Sequence, residues 1–70
     1  MISDRMELER VKHTAAKIVF SGTRYNWIDM LDNTADLDRE LSRCRTISEA
    51  KLKYIHYFIN MYESMEEDDA

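Results

Sequence analysis

Apolar residues recur along this chain at steps of three and four, the spacing of a helix face, and one glycine with no proline leaves little of the punctuation a β-rich chain needs. In the first segment Leu8, Val11, Ala15 and Ile18 form a stripe. Ser3 is placed to cap it, and Asp4 and Glu7 sit near the positive end of the helix dipole. The pattern predicts a helix over residues 4–20. It ends at Phe20-Ser21-Gly22-Thr23, where Gly22 tolerates the left-handed conformation that closes a helix and Thr23 can cap the next segment.

From residue 24 to 44, Trp27, Met30, Thr34, Leu37, Leu41 and Cys44 alternate steps of three and four with Leu31 beside them, a heptad-like seam that predicts a second helix. Asp32-Asn33-Thr34 is its weak point, because these side chains compete for the backbone and prefer caps and turns. The sequence leaves open a bend at 32–34 or a restart with Asn33 or Thr34 as a new cap. Asp36 with Arg39 and Glu40 with Arg43 lie one turn apart, each pair worth about 0.3 kcal/mol on an exposed helix.

Thr46-Ile47-Ser48-Glu49 reads as a capping box and starts a third helix over 47–65. On it Leu52, Ile55, Ile59 and Tyr62 make one seam, and Tyr54, Tyr57, Phe58, Met61 and Met65 another. Together they span an arc of roughly 220°, about twice what a surface helix needs to face a core. Two short neighbours do not easily cover that arc. The expected fold is therefore all-α, a small helical hairpin or three-helix bundle over residues 1–65 completed by homodimerisation, with 66–70 as an acidic disordered tail.

Size agrees with a need for a second subunit: 70 residues make one domain with a small core. An internal disulfide is ruled out, since Cys44 is the only cysteine. A lone thiol suits a reducing compartment, and charges at Asp4, Arg5, Glu7, Glu9 and Arg10 interrupt any secretory core, so the expected location is cytoplasmic. Lys51, Lys53, His56, Asn60 and Glu63 break up the most hydrophobic stretch, which predicts no membrane span. Charge runs from a net +2 over residues 1–24, through −2 over 25–45, to −4 from residue 46 onward.

Candidate chemistry is sparse. His13 and His56 lack partners at zinc spacing, and the run from Asp32 to Arg43 has Leu37 and Arg43 where a calcium loop needs glycine and glutamate, so no metal and no cofactor are expected. Arg43 and Arg45 flank Cys44 and favour a thiolate, yet no histidine is tied to it by motif, and a packed cysteine is the simpler reading. Neither a phosphate-binding glycine loop nor a nucleophile triad stands out. An enzyme is not expected.

Binding is. Tyrosine, tryptophan and methionine suit interfaces, and Trp27, Leu41, Tyr54, Tyr57, Phe58, Met61 and Met65 are the expected contacts for a second copy or another protein. Arg10, His13 and Lys17 share one face of the first helix, with Arg24 beyond the turn, and are expected to steer an acidic partner. The expected function is a stoichiometric regulator or inhibitor acting on an unidentified protein: an anti-activator, an antitoxin, or an inhibitor of a host protein of the kind phages encode. That likeness is compositional and carries no residue over. The alternative, a helical DNA-binding regulator using the basic face, has the net charge of −4 against it.

Overall fold

The computed structural model describes residues 5–68. Its regular elements are α1 (Arg5–Phe20), a single 3₁₀ turn (Asp29–Leu31), α2 (Ala35–Leu41) and α3 (Ile47–Asp68), with no strand among the described residues. None of these helices is long and apolar enough to cross a membrane. The expected cap Ser3 lies outside the described residues.

Helix α1 stops where the sequence predicts. Gly22 adopts φ 79°, and the Phe20 carbonyl accepts from both the Thr23 amide, at 3.2 Å, and its hydroxyl, at 2.8 Å. The start of α3 is also as expected, with the Thr46 Oγ1 accepting the Glu49 amide at 3.1 Å. At its other end α3 runs on through Asp68, so Glu66 and Glu67 are helical rather than part of a disordered tail. Asp69 and Ala70 lie outside the described residues.

The middle segment differs most from expectation. Residues 24–34 form no α-helix, and α2 is only the seven residues after Thr34. Local side chains take the amides that a helix would use: Thr23 Oγ1 accepts from the Tyr25 amide at 3.2 Å, and Asn26 Oδ1 from the Ile28 amide at 3.0 Å. Asn33 then turns the chain at φ 65°, a left-handed conformation that asparagine tolerates better than most residues. The seam reports burial all the same. Thr34, Leu41 and Cys44 are buried, and Trp27, Met30 and Leu37 pack partly against the core.

Helices α1 and α3 run side by side in the same direction. Lys12 and Tyr54 meet at Asp38, Phe20 packs edge-on against Phe58 and Tyr62 with ring centroids 5.9 and 6.2 Å apart, and Arg24 reaches Glu66. The connecting segment returns along one side of the pair. Small residues let the helices approach, since Ala15, Ala16 and Ala50 are fully enclosed, and Leu8, Val11, Phe20, Leu41, Tyr54 and Phe58 fill the space between. Ile18, expected in the α1 stripe, is instead 52% exposed, and its place is taken by Lys12 and Ala16.

Candidate interaction surfaces and a buried polar tie

Burial reassigns the expected contacts. Leu41, Tyr54 and Phe58 have no accessible surface, so they belong to this fold's own core and have nothing to offer a partner. Tyr57, Met61, Met65 and Trp27 are partly buried against the same core. The cause is the connecting segment, which lies over the Tyr54 side of α3: the Tyr54 hydroxyl donates to Asp38 Oδ1 at 2.5 Å, and that of Tyr57 to the Asn33 carbonyl at 3.4 Å. Of the other seam, Leu52 is 59% and Ile59 39% exposed, while Ile55 and Tyr62 pack partly against the core.

A charged group at the centre of the fold has no forerunner in the apolar pattern. Lys12 is 5% exposed, and its ammonium donates to Asp38 Oδ2 at 3.0 Å, Thr34 Oγ1 at 3.1 Å and Glu9 Oε1 at 3.2 Å. Three donors meet three acceptors, so the lysine is saturated. The Thr34 hydroxyl lies 3.1 Å from Asp38 Oδ2 and 3.3 Å from the Leu31 carbonyl. Burial, reinforced by the hydrogen bond to Asp38, pushes the Tyr54 phenol far above its ordinary ionisation range. Among the described residues no buried side-chain nitrogen or oxygen lacks a partner. This closed arrangement ties α1, α2 and α3 together and presents no spare donor to a substrate. Lys12 lies one turn from Leu8 and one from Ala16, but helical spacing alone does not mark a lysine as enclosed.

On the outer side of α1, Arg5, Met6, Glu9, Arg10, His13, Thr14 and Lys17 line a surface groove. All seven come from one helix, so the groove is an open face rather than a pocket that encloses a small molecule. Trp27 packs at its edge: the Lys17 ammonium is 4.8 Å from the Trp27 ring centroid and the His13 ring 5.7 Å. The expected grouping of Arg10, His13 and Lys17 is therefore present, with Arg5 added. Arg24 is elsewhere. Its guanidinium bonds the Tyr25 hydroxyl at 3.2 Å and sits 3.8 Å from Glu66, at the far end of the α1–α3 pair.

Cys44 is buried, 7% exposed, beside Glu40, Arg43, Arg45, Glu49 and Lys53. Among the described residues no three histidine, cysteine or acidic side chains gather where they could hold a metal ion. No protein-family model, no curated protein and no solved structure matches the chain, so these surfaces alone bear on what it does.

Proposed function

We propose that this chain is a non-enzymatic protein-interaction module, a stoichiometric regulator or inhibitor whose partner-facing surface is the outer side of α1. One observation carries the reading: in a chain of net charge −4, Arg5, Arg10, His13 and Lys17 share a single exposed groove in which Glu9 is the one acid, and the Trp27 ring packs against Lys17 at its edge. A compact basic stripe on an acidic protein attracts an acidic segment of another protein, and its charges act chiefly on the rate and specificity of capture. The aromatic surface supplies contact area. Free Cys44 fits a reducing, cytoplasmic setting. Self-association belongs to the same reading, resting on the apolar residues that α3 leaves exposed, Leu52 and Ile59.

Trp27 is the single tryptophan and reports on the groove directly. Its fluorescence is followed while a glutamate-rich peptide, and separately duplex DNA, is titrated at about 50 mM and about 200 mM salt. The proposal expects saturable change with the peptide, lost in the double variant Arg10→Glu, Lys17→Glu. Binding of DNA alone, released steeply by salt, transfers the surface to a nucleic-acid partner; no response to either ligand overturns the reading.

A further inference from the structure

The connecting segment covers one side of the α1–α3 pair and leaves the opposite side bare except near the end of α3, where Tyr25 packs edge-on against Tyr62 at 5.9 Å and Arg24 sits 3.8 Å from Glu66. Lys12 and Tyr54 mark the covered side, because both reach Asp38. At ~100° per residue, Leu52 and Ile59 lie ~160° and ~140° round α3 from Tyr54, and Ile18 lies ~120° round α1 from Lys12. All three are apolar and exposed, at 59, 39 and 52% respectively. Ile55, partly buried, completes the α3 row between them.

We propose that this bare face pairs with the same face of a second copy, and that the two copies run antiparallel. The proposal rests on the reading that the chain acts by binding proteins, and it names one such partner and its geometry. The order of the seam argues for it. Leu52, Ile55, Ile59 and Tyr62 follow steps of three, four and three, a spacing that reads the same in both directions about residue 57. A twofold axis crossing α3 there sets Leu52 at the level of Tyr62 of the second copy and Ile55 at the level of Ile59, the self-complementary pairing that a twofold interface requires.

Charge selects the orientation. Lys51 and Lys53 stand near the start of α3, and Glu63, Glu66, Glu67 and Asp68 near its end. Because α1 and α3 are parallel, a parallel dimer sets the acidic ends of both copies side by side, whereas the antiparallel one brings the Lys51–Lys53 turn to the level of Glu63 in the other copy. The face runs along the long side of a molecule that measures 40 Å by 18 Å.

The test combines mass and distance. Light scattering behind size exclusion, over about a hundredfold dilution, is expected to give twice 8.4 kDa for the native chain. The exposed double variant Leu52→Asp, Ile59→Asp is expected to give 8.4 kDa with unchanged helicity. A native monomer overturns the dimer while leaving the α1 groove to its own titration; a dimer that survives the double substitution overturns this face but not self-association. For orientation, a spin label at Glu67→Cys in a Cys44→Ala background separates the labels by about 30 Å along the helix axes of the antiparallel pair, 20 residues at 1.5 Å each. A distance shorter than about 25 Å, from labels at one level, overturns the antiparallel arrangement.

Discussion

The Tyr54 hydroxyl donates to Asp38 Oδ1 while Lys12 holds Oδ2 of the same carboxylate, so one acidic side chain on the shortest helix fastens both long ones. Removing different corners of this arrangement has unequal effects. Asp38→Ala leaves the enclosed ammonium of Lys12 short of its nearest partner and the Tyr54 hydroxyl without its acceptor, a loss expected on the order of 2–4 kcal/mol. Lys12→Met keeps two hydroxyl donors on a partly exposed carboxylate and is expected within about 1 kcal/mol of native. Urea midpoints read the difference, and equal losses contradict the assignment of Asp38 as the centre.

Tyr54 also predicts how the fold responds to alkali. Its phenol is held above the ordinary value of 10.0 in the folded state, so the unfolded chain gives up that proton first as pH rises. Stability from this group is full below pH 10 and declines above it, toward the folded-state ionisation. Tyr54→Phe is expected to be less stable than native by about 1–2 kcal/mol near neutrality, and this gap should narrow as pH climbs past 10. A gap that stays constant in alkaline solution means the phenol ionises alike in both states.

Phe58 and Leu52, on the same helix, are expected to respond very unequally to truncation. Phe58→Ala empties a fully enclosed site against Phe20, Tyr54 and Tyr57, with an expected loss of about 3–5 kcal/mol. For a domain of this size that approaches the whole stability, typically about 0.05–0.15 kcal/mol per residue. Leu52→Ala removes a side chain already 59% exposed and should leave the thermal midpoint of the monomer within a few degrees of native. Calorimetry on dilute protein compares the two.

Gly22→Ala is expected to destabilise by about 1 kcal/mol, although nothing lies within 4 Å of where the added methyl would sit. The penalty comes from the backbone at φ 79° and not from a clash. A midpoint unchanged in urea shows that the turn after α1 relaxes into another conformation.

The two long helices were legible because their signals are local: apolar spacing, the Gly22 stop and the Thr46 cap all act within a few residues. The middle segment misled through the same rule. Thr34, Leu41 and Cys44 are buried and Trp27, Met30 and Leu37 pack partly against the core, but this pattern belongs to a chain laid along the α1–α3 pair, and Thr23 and Asn26 satisfy amides that a helix would have used. Which seam of α3 is internal depends on the side taken by that segment, and no periodicity carries this information. Tyr54 and Phe58 were accordingly expected at an interface and lie in the core. The basic face of α1 was visible in sequence, since Arg10, His13 and Lys17 need only helical spacing to come together. Lys12 was not, because its partners Thr34 and Asp38 stand 22 and 26 residues away.

Parallel packing of α1 and α3 also sets the order in which this protein can be assembled. An antiparallel helical hairpin closes through a short loop as soon as its second helix exists, and its contacts are local in sequence. Here Phe20 must find Phe58 and Tyr62, and Lys12 and Tyr54 must both find Asp38, so loops of tens of residues close before the core rewards them. These closures are longer than a hairpin's, and the chain should fold more slowly than a hairpin of equal length. During synthesis the buried side of α1 waits for α3 to emerge, and Leu8, Val11 and Phe20 are exposed to the surroundings for that interval.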